Sequence, residues 1–289
     1  SRRGCEIVLL PTGNPEAPKR GTMFGTLIGI FLTSTGIMIG ADTVLWGSSA
    51  PHPSRIEKTC MPSQRSVAAL EGWYGERLAL HQQFQAVCKT LSRSRKPVSV
   101  DAQADLLIRK LFDKYREQQG PLTTPAAALP APENSHIAFV AVAGFDGAVP
   151  LVAVRELRWE KTRKGRWNVT TAPVGKLSFD GCGVRFLGDE RVAALLLDTS
   201  GHFERDKQRP EVSRAIEANR LRAEDHCFLS AFSVDDAKVL YKLAVRATID
   251  HAETFQMENG AVGGQLHLLT IPMDGPIQKA ILDPEQYVE

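Results

Sequence analysis

The sequence is notable first for what it lacks. It has no long hydrophobic run. Its most apolar stretch, Leu27 to Gly40, is interrupted by Thr33-Ser34-Thr35-Gly36 and is too short and too polar at its centre to span a bilayer. It has no CxxC pair. Its five cysteines, Cys5, Cys60, Cys88, Cys182 and Cys227, are scattered and odd in number. That argues against a zinc site or a disulfide framework while leaving room for a single bridge. Charge of one sign is also missing: the formal net charge is +2, so no global field points to nucleic acid or to an anionic membrane. No solenoid-type repeat is present, and no cofactor is expected.

What is present is ordinary globular material. The chain has 289 residues, 43% hydrophobic and 24% charged, enough to bury a substantial core in one large domain or two small ones. It begins at Ser1 without a Met, so a further upstream piece is expected, with a signal peptide as one candidate for it. A cytoplasmic location is expected, with export as the alternative.

Periodicity gives the organisation. Ser1 to Thr22, with Pro11, Gly13, Pro15 and Pro18, reads as an extended leader. A hairpin, "GTLIGIFLTSTGIMIGAD", follows, then the loop "WGSSAPHPS" and a second strand region from Arg55 to Gly72. Leu80, Phe84, Val87 and Leu91 recur at helical spacing and predict a helix over Gly75 to Leu91. A second helix starts near Ser99-Val100-Asp101 and stops at Gly120. After a Pro/Ala connector, strands return as "HIAFVAVAGF" and "VPLVAVREL", with Gly147 in their turn, and Trp167 to Thr171 is a candidate third strand. Phe186 to Asp198 reads as a short helix, and the charged segment Ser200 to His226 as a helical surface insertion. Ser233 with Asp236 forms a capping box. It opens a long helix with Leu240, Leu243, Ala244 and Ala247 on one side, ending near Asn259-Gly260. "GGQLHLLTI" is the closing strand. This order predicts a single α+β domain with two sheets between helical layers.

At this point the chain resembles a β-type proteasome subunit of the N-terminal-nucleophile hydrolase superfamily. Members of that family are cut at a Gly-Thr junction so that Thr becomes the first residue. A hairpin with Gly in its turn, an Asp, a Lys and a further Gly follow. Counted from Thr26, that spacing falls without a gap on Gly36, Asp42, Lys58 and Gly72. "HIAFVAVAGFDGAVPLVAV" and "DHAETFQMENGAVGGQLHLLTI" are similar to the family's central hairpin and to its last helix and strand. The resemblance covers most of Gly25 to Ile271. It implies a four-layer αββα sandwich, with Thr26 starting a strand in the middle of one sheet and the Thr26–Gly72 region sharing a sheet with the 265–271 strand. It divides the chain into a leader at 1–25, a domain at 26–275 with a charged insertion near 200–226, and a tail at 276–289.

The chemistry that the resemblance implies is hydrolysis of peptide bonds in a peptide or unfolded protein, in a homo-oligomer of the ring-forming kind. A Thr hydroxyl needs a base, and a free α-amine can serve at working pH. In these roles Thr26 is the nucleophile, Lys58 tunes its base, Asp42 fixes Lys58, and the Gly72 N–H holds the oxyanion. Each residue also has an ordinary reading. Thr favours strands, and Asp after a strand is a common turn residue. "RIEKT" offers Arg55 as an alternative to Lys58. Strand alternation puts the two on opposite faces, and Lys58 keeps the register to Gly72. An Arg could not exchange the proton.

The sequence departs from the family's pattern at other positions. The family's second Asp and a Ser, just before the Gly-Gly of the last strand, fall on Asn259 and Val262, and another supporting Ser falls near Arg191. While Gly25 remains attached, the Thr26 nitrogen is an amide without basicity. Three readings therefore compete: a self-cleaving threonine peptidase, a degenerate subunit kept for assembly, and another N-terminal-nucleophile amidase. Glu71, beside Gly72, would favour a basic side chain in the substrate.

Overall fold

The structure, a computed structural model, describes residues 26–45, 54–72, 80–94, 98–119, 136–161, 163, 167–178, 183–188, 232–254 and 262–288. The leader, the Pro/Ala connector and the charged segment 200–226 lie outside these residues. The opening hairpin is β1 (Leu27–Thr33) and β2 (Gly36–Asp42), closed where Thr33 Oγ1 donates to the Gly36 carbonyl at 2.8 Å and accepts from its N–H at 3.1 Å. Period-2 alternation splits the hairpin's apolar residues between two faces. Ile28, Ile30, Leu32, Ile37, Ile39 and Ala41 point one way; Leu27, Phe31 and Met38 point the other. Both faces are buried, which is why the sequence reads as two nearly unbroken apolar runs.

Two further short strands, β3 (Val44–Leu45) and β4 (Ser54–Arg55), pair with each other. Beyond them come β5 (Thr59–Ser63), β6 (Ser66–Gly72), β7 (His136–Asp146), β8 (Val149–Lys161) and β9 (Trp167–Ser178). These five form one antiparallel sheet in chain order. The other five-stranded sheet has the order β10 (Gly183–Gly188), β1, β2, β11 (Leu266–Pro272) and β12 (Gln278–Leu282), also antiparallel. The sheets pack face to face through the inner residues of the hairpin, with Val67, Ala69, Ala141, Ala143, Val152 and Val154 opposite them.

Helices cover both outer faces. Helices α1 (Leu80–Ser92) and α2 (Val100–Gln119) lie on the β5–β9 sheet over Leu70, Ile137, Val140 and Val142. Helix α3 (Val234–Thr254) lies on the other sheet over Leu27, Phe31 and Met38. A one-turn helix, α4 (Glu285–Val288), packs Tyr287 into the same cluster. The result is the expected four-layer αββα sandwich.

Several local expectations hold. Ser99 Oγ accepts from Ala102 N–H at the start of α2, and Ser233 and Asp236 bond reciprocally at the start of α3. Gly147, at φ +66°, turns β7 into β8.

Others are corrected. Phe186 to Gly188 is strand, not helix: Val184 and Phe186 pack beneath α3 while Leu187 points between the sheets, a period of two set by pairing with β1. The remainder of that expected helix lies outside the described residues. The Thr26–Gly72 region does not share one sheet. β1 and β2 lie in one sheet with β11, which pairs with β2, whereas β5 and β6 cross to the facing sheet. Leu243, expected on the core side of α3, is 50% exposed, and Ala237, Tyr241, Ala244 and Val245 form the buried face. The stretch read as a tail contributes β12 and α4. Of the five cysteines, Cys60 on β5 and Cys88 on α1 form a disulfide.

Candidate active site

The two sheets bring three buried polar side chains to one point. Thr26 immediately precedes β1, Asp42 ends β2, and Lys58 lies just before β5 on the opposite sheet, at 2%, 0% and 1% exposure. Lys58 Nζ donates to Thr26 Oγ1 at 2.7 Å and to both Asp42 carboxylate oxygens at 3.1 Å. Asp42 is itself held by backbone donors. Its Oδ1 accepts from Leu27 N–H at 3.0 Å, and its Oδ2 from Val44 N–H at 3.2 Å and Gly263 N–H at 3.4 Å. One carboxylate thereby ties together β1, the start of β3, the loop before β11, and Lys58.

Burial governs the electrostatics. Loss of water pushes the Lys58 ammonium down from the usual lysine range, and the Asp42 carboxylate beside it opposes that shift. Burial likewise pushes Asp42 up, against the pull of Lys58 and the backbone N–H groups. An ammonium weakened by burial can pass through its neutral form, and a neutral amine 2.7 Å from a hydroxyl can accept that hydroxyl's proton.

Arg55 is on β4, with its backbone paired to Val44. The alternation argument between Arg55 and Lys58 does not apply, because residues 56–58 leave the strand between β4 and β5. Gly72 ends β6 at φ +147°, and a Cβ there would come within 2.5 Å of the Ile137 carbonyl oxygen. Glu71, one residue earlier, is buried, and its Oε2 lies 2.8 Å from His136 Nε2. Its charge is matched inside the protein, which removes the expectation that it selects a basic substrate side chain. Val262 packs beneath α3 with Tyr241 and Leu266. Asn259 and Arg191 lie outside the described residues.

Three features of the site were not anticipated. Gly188, at φ +89°, passes so close to Thr26 that a Cβ on it would lie 1.9 Å from the Thr26 carbonyl oxygen. Its only sequence signal was a Gly in a stretch that read as helix. Tyr241 donates from its hydroxyl to the Leu27 carbonyl at 2.7 Å. Helical periodicity marked the neighbours of Tyr241 but not its polar end. His136 lies 2.8 Å from Glu71, and its one signal in the sequence is a titratable side chain at the head of the apolar strand "HIAFVAVAGF".

Among the described residues no group of three or more His, Cys, Asp and Glu is placed to hold a metal ion, and no helix is long and apolar enough to cross a membrane. No protein-family model matches the sequence, and no curated protein is similar to it. Among solved structures the chain is similar to Anbu (ancestral beta-subunit) from Yersinia bercovieri, with a TM-score of 0.49 and 10% identity over 90% of this chain and 88% of that one. The chemistry of the site stands on its own geometry.

Proposed function

We propose that this chain is an N-terminal-nucleophile threonine peptidase that releases its own leader at Gly25–Thr26. The observation that carries the reading is the 2.7 Å contact between Lys58 Nζ and Thr26 Oγ1, backed by the buried Asp42 carboxylate. In the self-cleavage, Thr26 Oγ1 attacks the Gly25 carbonyl carbon while Lys58 takes the hydroxyl proton. The Gly25–Thr26 C–N bond then breaks, the departing nitrogen receives a proton, and Gly25 is left as an ester on Oγ1. Water hydrolyses that ester to a carboxylate and restores the hydroxyl. The newly free α-amine joins Lys58 as a base for the same attack on peptide or unfolded-protein substrates. Gly72 N–H serves as the oxyanion donor, and Asp42 keeps Lys58 in place.

Intact mass spectrometry tests this directly. Full-length protein should yield a chain starting at Thr26, Thr26→Ala should stay whole, Thr26→Ser should still cut, and Lys58→Ala should cut at least a hundredfold more slowly. Wild type that stays uncut and inactive on mixed fluorogenic peptides would end the catalytic reading.

One observation favours a second reading, a non-catalytic subunit kept for assembly. Val262, where the resemblance calls for a Ser, contributes only apolar packing. Both readings include a homo-oligomer, with ring contacts through the outer helical layers, where α3 presents Val239 and Leu243 at 62% and 50% exposure. Light scattering that reports a monomer at micromolar concentration would exclude the ring.

A further inference from the structure

A second buried ionic cluster adjoins the Thr26 site. On neighbouring strands Glu71 pairs with Phe139 and Phe139 with Glu156, while His136 pairs with Arg158. The His136 ring stacks on Phe139 with centroids 4.1 Å apart. Its Nε2 lies 2.8 Å from Glu71 Oε2 and its Nδ1 3.3 Å from Glu156 Oε1. A carboxylate only accepts, and the imidazolium, which donates from both nitrogens, is the form that satisfies one at each. Charged groups thus face His136 from both flanking strands: Glu71 from β6, and Glu156 with Arg158 from β8. Arg158, its side chain 41% exposed, in turn places Nη1 3.4 Å from Glu156 Oε2.

Glu71 connects this cluster to the reaction site. Leu70 N–H, one residue before it, donates to the Lys58 carbonyl at 2.9 Å. The point where a Cβ on Gly188 would stand is 3.2 Å from Glu71 Cγ and 1.9 Å from the Thr26 carbonyl oxygen. Glu71 is also one of the carboxylates whose field favours the charged form of Lys58. From buried to exposed, the groups form three opposed pairs: Asp42 with Lys58, Glu71 with His136, and Glu156 with Arg158.

We propose that His136 is a positioning residue for Lys58: by holding Glu71 in an ion pair, it keeps that carboxylate from fixing Lys58 as an ammonium unable to take the Thr26 proton. The inference rests on the peptidase reading above. Burial disfavours the His136 cation, but Glu71 and Glu156 outweigh it and raise its pKa to about 9, so the cation persists at neutral pH.

The test pairs a titration with a rate, on the full chain. In the first arm, NMR follows the Lys58 side-chain nitrogen, assigned by its loss in Lys58→Arg, through a pH series. His136→Gln should move the Lys58 titration to higher pH, and Glu71→Gln added to it should reverse the move. In the second arm, self-processing by His136→Gln should slow about tenfold at neutral pH and recover at higher pH, because an alkaline shift of Lys58 is overcome by raising the pH. A merely structural loss would lower the rate at every pH and would not be rescued by Glu71→Gln. An unmoved Lys58 titration in His136→Gln would overturn the proposal. So would a wild-type His136 signal titrating near 6.5, a measurement that needs no variant to fold. A Lys58 titration that moves in His136→Gln, together with a wild type that never processes, would instead overturn the peptidase reading alone.

Discussion

Tyr241 stands on the backbone of the β1–β2 hairpin: its hydroxyl donates to the Leu27 carbonyl at 2.7 Å, and its ring occupies the space above Gly29 and Gly40. A Cβ on Gly29 would lie 2.6 Å from the ring, and one on Gly40 2.5 Å from it. The aromatic ring and the two glycines are therefore one packing unit, which joins α3 to β1, the strand that Thr26 precedes.

Substitutions in this unit should separate packing from hydrogen bonding. Tyr241→Phe keeps the ring but leaves the Leu27 carbonyl without its donor, and should cost about 1–2 kcal/mol. Tyr241→Ala should cost about 3–5 kcal/mol through the cavity it leaves. Urea unfolding monitored by circular dichroism reads both, and equal losses for the two variants would contradict this account.

Gly188→Ala should be among the most damaging small changes in the chain. It forces a side chain into a left-handed backbone conformation and against the Thr26 carbonyl. The strain should cost about 1–3 kcal/mol. Release of the leader should slow even where circular dichroism shows folded protein. Unchanged release would show that the close approach of β10 to Thr26 is not needed for cleavage.

The Cys60–Cys88 bridge closes a loop with a sequence separation of 28, for which loop-closure entropy gives about 3–4 kcal/mol. Reductant should lower the urea midpoint of wild type by a corresponding amount. A Cys60→Ser/Cys88→Ser double variant should unfold at that lower midpoint with or without reductant. Wild type indifferent to reductant would refute the contribution.

His136 makes stability depend on pH in a defined window. Its pKa is raised from 6.5 to about 9 in the folded state, so the extra proton stabilises the fold fully below about 6.5, and this contribution is lost as pH rises to about 9. The difference corresponds to about 3 kcal/mol. Unfolding free energies measured at pH 6 and pH 9 should diverge by about that much more in wild type than in His136→Gln. Parallel pH dependence in the two proteins would mean that His136 is not held as a cation.

The parts of the fold that local patterns specify were legible in the sequence. The two-sided apolar hairpin, the Ser99 and Ser233 caps and the Gly147 turn each follow from residues within a few positions of one another. The spacing from Thr26 to Asp42 and Lys58 was legible because two paired strands and one crossing preserve it in the fold. What could not be read depends on contacts across the chain. Phe186 to Gly188 look helical until pairing with β1 imposes a period of two, and Tyr241 reads as an ordinary helix residue until two glycines 201 and 212 positions away receive its ring. Glu71 reads as facing substrate in the sequence because its partner, His136, lies 65 residues downstream.

The positions of Gly188 and Phe232 set a minimum tether length between them. Gly188 lies opposite Leu27 at the foot of β1, whereas the Phe232 carbonyl accepts from Ser34 N–H and Oγ just past its far end. Any covalent path joining those two points must run the length of a seven-residue strand, about 23 Å at roughly 3.3 Å per residue. A replacement linker of three or four residues would fall short and pull one end of β1 out of register. One of about eight or more could span that distance.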